Sequence, residues 1–299
     1  MEKYVGAVKR SFAYHSEKLT DHTVDTIYFG GGTPNLLGNK YLSDILNAAK
    51  DQFNLDTDPE TTIEINPEFS TDLSSLEKLK DIGFNRLSIG IQSLNDNELK
   101  NLGRIHTSKT ALACLSTARN IFDNLSVDLI YAIPGQTMDS LNETLISLLE
   151  FKPEHFSAYN LTVEEGTPLD SLVQKGDIDI QDEESEIDHF YHIHNFLSKN
   201  GYDHYEISNY AKPGKQSRHN SSYWTEKDYL GIGPSAHSRL GNDRCSYDAD
   251  LIAFLVAPKA FHHVDDVSES DKLITRLRRS QGLNRIDLSP NTWANTLNY

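Results

Sequence analysis

Five short apolar segments recur along the first half of the chain, each with the alternation expected of a strand. They are "DTIYF" (Asp25–Phe29), "TTIEIN" (Thr61–Asn66), "RLSIGIQ" (Arg86–Gln92), "SVDLIYA" (Ser126–Ala132) and "HFSAYNLTV" (His155–Val163). Between them lie segments with apolar residues at helical spacing: "KYLSDILNAAKDQF", "STDLSSLEKLKDIG", "SKTALACLSTARNIF" and "TMDSLNETLISLLEF". Ser70 or Thr71 is placed to cap the second of these helices, and Gly83 to end it. The opening "MEKYVGAVKRSFAYHSEKL" has the pattern of an amphipathic helix. Regular alternation of strand and helix predicts an α/β fold, with a parallel sheet covered by helices as either a barrel or a doubly wound sheet.

Polar residues decide between those two. They fall late in each strand or just beyond it: Gly30 to Thr33, Glu64 and Asn66, Gln92 and Ser93, Asn160 and Thr162. Successive strand ends offering polar groups to one rim predict a βα barrel, whose site is built at the C-terminal ends of its strands. Beyond Glu165 the pattern changes to an acidic loop and a helix ("DIDIQDEESEIDHFYHIHNFLSKNG"), then Tyr-, Gly- and Ser-rich stretches that suggest short strands and turns. One more helix is expected in "SDKLITRLRRSQG", followed by a polar run without periodicity. The organisation expected is a barrel region over residues 1–165, an extension over 166–264 and a helical tail over 265–299.

Composition narrows the function classes. A formal net charge of −16 argues against a nucleic-acid partner, which needs basic surface. No apolar run approaches the length of a membrane span, and the N-terminus lacks the apolar core of a signal peptide. Two cysteines, Cys114 and Cys245, exclude a disulfide scaffold and a Cys-rich metal motif, and they fit a reducing cytoplasmic setting.

Three groups of residues carry candidate chemistry. The Gly30-Gly31-Gly32-Thr33-Pro34 run is either a tight turn or a place where a polar ligand lies against bare backbone; it is neither a P-loop nor a dinucleotide fingerprint. Glu64, Gln92, Arg104 and Asp128 could each serve a rim salt bridge, such as Glu64 with Arg86 or Arg104. Taken together they suit a zwitterionic, hydroxyl-bearing ligand. "SRHNSSYW" (Ser217–Trp224) is either a packed loop anchored by Trp224 or a surface for a flat aromatic ligand, with His219 able to ligate a metal. His189, His192 and His194 do not share one helix face and are read as solvated or half-buried side chains.

The motifs "YFGGGTPNLL", "TIEINPE", "GFNRLSIGIQSLNDNELKNLGRIH", "SVDLIYAIPGQT", "YNLTVEEGTPL", "YEISNYAKPGKQSRHNSSYW" and "YLGIGPSAHS" follow one another in the order of a known family. The chain resembles the radical S-adenosylmethionine (SAM) haem chaperones, HemW, a family also described as oxygen-independent coproporphyrinogen III oxidase-like. The resemblance runs from about Tyr4 to Gly282. It implies that Gly31, Gly32 and Thr33 line SAM, and that Glu64, Gln92, Arg104 and Asp128 contact its polar groups. It also implies that His219, Asn220, Tyr223 and Trp224 form a haem motif, with His219 the candidate iron ligand. Haem or porphyrin and haem-accepting proteins are the implied partners. The implied function is haem binding and transfer; the alternatives are a coproporphyrinogen III oxidase-type enzyme of porphyrin biosynthesis and a fragment with neither function.

The same resemblance implies a [4Fe–4S] cluster on a Cys-x3-Cys-x2-Cys loop preceding the helix at Met1. That loop is not in this sequence, so a partial barrel lacking its first strand is expected, with the outer edge of Asp25–Phe29 bare or covered by the N-terminal helix. Cys114 is expected in a helix and Cys245 in a distant loop, which cannot supply thiolates converging on one cluster. Anaerobic reconstitution of this chain with iron and sulfide is therefore expected to yield no cluster absorbance near 400 nm. A stoichiometric four-iron centre would refute that expectation.

Overall fold

A computed structural model describes residues 1–69 and 72–283. In chain order the elements are α1 (Glu2–Ser16), β1 (Val24–Phe29), α2 (Asn39–Gln52), β2 (Leu55–Ile65), α3 (Leu73–Ile82), β3 (Arg86–Gln92), α4 (Asp96–Asn101), α5 (Ser108–Ile121), β4 (Leu125–Tyr131), α6 (Met138–Leu149) and β5 (His155–Asn160). There follow α7 (Pro168–Gln174), α8 (Glu183–Lys199), β6 (Asp203–Glu206), β7 (Asn209–Ala211), α9 (Arg218–Trp224), β8 (His237–Leu240), β9 (Asp243–Ser246), α10 (Leu251–Val256), β10 (His262–Asp266) and α11 (Glu269–Leu277).

Seven strands form one sheet in the order β1-β2-β3-β4-β5-β7-β6, the α/β partial barrel that the pattern predicts. The pairs β2–β3, β3–β4 and β4–β5 are parallel, and β7 closes antiparallel on β5. β8, β9 and β10 make a separate antiparallel sheet. Two compact units result, each assembled from separated stretches: Tyr28–Leu36 with Thr61–Gln216, and Met1–Ile27 with Leu37–Glu60 and the chain from Ser217 onward.

The core of the first of these units is set by strand alternation. Leu87, Ile89 and Ile91 on β3, Leu125, Val127 and Leu129 on β4, and Phe156 and Ala158 on β5 are buried side chains. Leu76 and Leu79 of α3, Ala111, Cys114, Leu115 and Ala118 of α5, and Leu141, Leu145 and Leu148 of α6 are buried with them. The residues between them on the strands, among them Arg86, Ser88, Ser126, His155 and Ser157, face the other way and are polar although buried. In the second unit α1 packs on α2 through buried Val5, Ala7 and Val8 against Leu42, Ile45 and Leu46.

Several local expectations change. Ser70 and Thr71 lie outside the described residues, and α3 is capped by Asp72, whose carboxylate accepts from Ser75 N at 3.2 Å. Gly83 ends that helix in the left-handed conformation (φ 116°), as predicted. β2 starts six residues earlier than the pattern indicates, because its first half, "LDTDPE", is mostly polar, is exposed at Asp56–Asp58 and carries a proline. β5 stops at Asn160 rather than Val163. Cys245 sits on β9 rather than in a loop. "RHNSSYW" is a helix, α9, not a loop: Ser217 Oγ caps it by accepting from Asn220 N at 3.2 Å.

Ile89, with no solvent exposure, tests the outer face of the sheet. Ile89→Ala is expected to cost about 2–5 kcal/mol of stability, read as a lowered urea midpoint at unchanged slope.

Candidate functional site

Rows of neighbouring residues across the sheet place polar side chains side by side. One row reads Glu64, Ser88, Ser126, His155 across β2 to β5; the next includes Gly90, Asp128 and Ser157. Glu64 accepts hydrogen bonds from Tyr28 Oη at 2.7 Å and from the Gly31 backbone N at 3.1 Å. Neither Arg86 nor Arg104 pairs with it among the described residues, so the rim salt bridge considered for Glu64 does not form. Asn66 Nδ2 donates to Thr33 Oγ1 at 2.9 Å, tying the far side of the glycine loop to the end of β2.

The glycines of this loop have separate reasons. A Cβ on Gly30 would lie 2.6 Å from the Tyr28 ring and 2.7 Å from Glu64 Oε1, so the bond between those two side chains requires glycine above them. Gly31 has φ 89°, a conformation L side chains rarely adopt, and it is this turn that aims its N–H at Glu64. Added Cβ atoms on Gly31 or Gly32 would meet nothing within 4 Å, which leaves bare backbone open on that side.

Gln92 closes the same region from β3. It has φ 66°, just past an irregularity in the β3–β4 register between Gly90 and Gln92. An added Cβ on Gly90 would lie 3.0 Å from Gln92 Nε2 and 3.1 Å from Asn66 Oδ1, so these two amides crowd the bare glycine. Arg104 lies in the segment after α4, its backbone N bonded to Leu99 O at 2.8 Å. Asn160, expected on this rim, instead donates to Glu186 of α8 at 2.9 Å and faces away.

Asp128 is the most perturbed carboxyl. Burial pushes its pKa up to about 6, with the Glu64 carboxylate adding to the rise. Hydrogen bonds from Ser157 and Ser88 and the charge of Arg86 oppose it. Ser88 Oγ reaches both carboxylate oxygens, at 3.1 and 3.0 Å. Arg86 itself is 1% exposed, and among the described residues its Nε and Nη2 have no hydrogen-bond partner. Burial, and then the charge of Arg86, hold His155 well below the usual imidazole value. His155 is fixed by Ser126 Oγ and Tyr205 Oη, each at 2.8 Å. Tyr28, Ser88 and Ser157 escaped the sequence reading, which had taken in Asn66 as a rim residue and Arg86 as a possible partner of Glu64. Ser88 carried a signal, since it stands two residues from Gly90 and four from Gln92 on β3, whereas Ser157 stands an odd number of residues from Asn160 on β5.

In the other unit, the motif residues lie on or around α9. His219 Nε2 lies 2.8 Å from Tyr223 Oη, and Nδ1 lies 3.0 Å from Thr26 Oγ1 on β1. Both ring nitrogens of His219, including the one expected to meet iron, are therefore already engaged in hydrogen bonds. Asn220 is half-buried and Tyr223 exposed. Trp224 does not present an open face on both sides, because Arg278 lies 4.3 Å from its ring centre. Of the three helix histidines, His192 and His194 are half-buried as expected, meeting Asn142 and His204, each at 3.1 Å, whereas His189 is fully buried, against the expectation.

Comparison with known proteins decides the family. The Radical SAM superfamily matches residues 8–148. A protein named heme chaperone HemW from Bacillus subtilis is 32% identical, over 95% of this chain and 78% of its own length. The chain belongs to the HemW family of radical SAM proteins. A HemW from Lactococcus lactis is 36% identical over 82% of this chain, which spans 63% of that relative's length. The structure of the coproporphyrinogen III oxidase HemN from Escherichia coli superposes with a TM-score of 0.77 at 23% identity, covering 92% of this chain and 67% of that one, which supports the fold. Among the described residues no helix is long and apolar enough to cross a membrane.

Superfamily membership implies SAM and a [4Fe–4S] cluster. The residues present fit SAM: the bare backbone at Gly31 and Gly32, the carboxylates of Glu64 and Asp128, and the amides of Asn66 and Gln92 lie on one end of the sheet. They do not fit a cluster within this chain. Cys114 is fully buried on α5, where burial pushes its thiol up to about 12, and Cys245 sits on β9 in the other unit.

The raised pKa of Asp128 has a consequence for stability. The folded state holds its proton to about pH 6, the unfolded chain only to about pH 4. Stability from this group is thus present below pH 4 and lost as pH rises through 6. Asp128→Asn removes the effect. Urea denaturation at pH 4 and pH 7 is expected to show the variant gaining roughly 2–3 kcal/mol on the parent between the two. An unchanged difference would mean that Asp128 ionises normally in the fold.

Proposed function

We propose that this chain binds haem and transfers it to haem-accepting proteins, with α9 as the haem-contacting element and SAM held at the end of the parallel sheet. Kinship with proteins named heme chaperone HemW supports the reading. The observation that carries it is the pairing of His219 and Tyr223 on α9, which sets an imidazole and an exposed phenol side by side, next to Asn220 and Trp224.

Gly31, Gly32 and Thr33 would give backbone and hydroxyl contacts to SAM. Glu64 would accept from its ammonium group, Asp128 and Gln92 would bond its hydroxyls and amine, and Arg104 would face its carboxylate. The apolar macrocycle of haem needs a few hundred Å² of covering surface, worth several kcal/mol at about 25 cal/mol per Å². Oxidative decarboxylation of coproporphyrinogen is the weaker reading, since relatives at 32% and 36% identity are named heme chaperones, whereas the oxidase structure, at 23% identity, supports the fold alone.

Hemin titration tests the proposal. The parent is expected to bind saturably with a shifted Soret band, His219→Ala to alter that spectrum, and His192→Ala on α8 to match the parent. No saturable binding by the parent would overturn the haem reading. A His219→Ala spectrum identical to the parent's would move the contact elsewhere, with exposed His237 on β8 the next candidate.

A further inference from the structure

The His219–Tyr223 pair bears on which atom meets iron. The two stand four residues apart, the spacing that puts side chains on one face of a helix. Tyr223 is 36% exposed, and its ring packs edge-on against Tyr229 with centres 4.7 Å apart. His219 is held at three points: Nε2 by Tyr223 Oη, Nδ1 by Thr26 Oγ1, and its backbone N by Glu60 Oε1 at 3.1 Å. Direct ligation by His219 requires its ring to abandon Tyr223 or Thr26. A Tyr223 phenolate, by contrast, can keep its bond to His219 while other lone pairs on the same oxygen bind the metal.

We propose that Tyr223, as a phenolate, is the residue that ligates ferric haem iron, and that His219 accepts the phenol proton instead of binding the metal. This rests on the haem reading above. A Thr26 hydroxyl accepting from Nδ1–H leaves the Nε2 lone pair facing the phenol, which makes His219 a base toward it. On haem binding the proton passes from Tyr223 Oη to His219 Nε2. An Fe–O bond forms as the water or chloride on ferric hemin leaves, and no electron is transferred. The resulting imidazolium stays hydrogen-bonded to the phenolate oxygen, whose other lone pairs serve the metal. Tyrosinate is an established axial ligand of ferric haem in other proteins. In this arrangement Thr26 and His219 are positioning residues, and Tyr223 alone touches the iron.

Hemin is titrated into the full chain and into Tyr223→Phe, His219→Gln and His192→Ala, and the ferric complexes are read by absorption, electron paramagnetic resonance and resonance Raman. The parent is expected to be high-spin, with a phenolate-to-iron charge-transfer band and phenolate vibrations. Tyr223→Phe, which keeps the ring against Tyr229, loses both signatures. His219→Gln keeps the phenolate vibrations at shifted frequency and binds roughly tenfold more weakly, as for the loss of a partner bonded to a ligand. His192→Ala matches the parent. A Tyr223→Phe complex with the parent's spectrum overturns the ligand assignment, as does a low-spin parent spectrum that His219→Gln abolishes. A parent that binds no hemin overturns the haem reading together with this one.

Discussion

Strand alternation, apolar toward the helices and polar toward the opposite face, is the constraint on which the site region depends. It commits β2 to β5 to carrying Glu64, Arg86, Ser88, Ser126, Asp128, His155 and Ser157 on one face. Buried charge of this kind is costly unless paired or hydrogen-bonded. Glu64 meets the requirement through Tyr28 and the Gly31 N–H, and Asp128 through two serines. Arg86 meets it less directly: its charge favours the ionised form of Asp128 and the neutral form of His155, with no hydrogen bond from Nε or Nη2 among the described residues. The glycine loop then follows from the face beneath it, since no side chain fits above the Tyr28–Glu64 bond at Gly30.

The motif on α9 depends on a different device. A seven-residue helix is too short to be stable on its own. Ser217 caps it, Glu60 accepts the backbone N–H groups of Arg218 and His219 at 3.3 and 3.1 Å, and Arg278 covers Trp224. His219 is consequently oriented by partners from β1 and the β2 segment, not by its neighbours in sequence alone. That rigidity makes the choice between its imidazole and the Tyr223 phenol a question of geometry.

How much of this was legible follows from range. β3 was read to the residue because Arg86 to Gln92 alternates without interruption and Gly83 marks the preceding helix end. The early half of β2 was hidden because it is polar and exposed over Asp56–Asp58, so it carries no apolar alternation. α9 was read as a loop because seven residues span two turns, too few for a 3.6-residue period to show. Glu64 and Asp128 were visible as carboxylates in strands. Their partners were not, since Tyr28 is 36 residues from Glu64 and Ser88 is 40 from Asp128. Thr26 stands 193 residues from His219, and no local pattern announces such a contact.

Charge sets a final condition on any haem site here. Haem carries two propionates, and a chain of net charge −16 offers them no general attraction. The cations around α9 are already engaged: Arg218 with Asp58 O at 2.7 Å and Asp56 at 3.8 Å, Lys227 with Asp25 at 3.0 Å, and Arg278 over Trp224. Recruiting any of them to a propionate means exchanging one contact for another, with little net gain. Affinity for the cargo in the proposed function must then come from the covered ring face and the bond to iron. Both are terms that an acceptor protein can match and replace, which suits a carrier better than a permanent haem pocket.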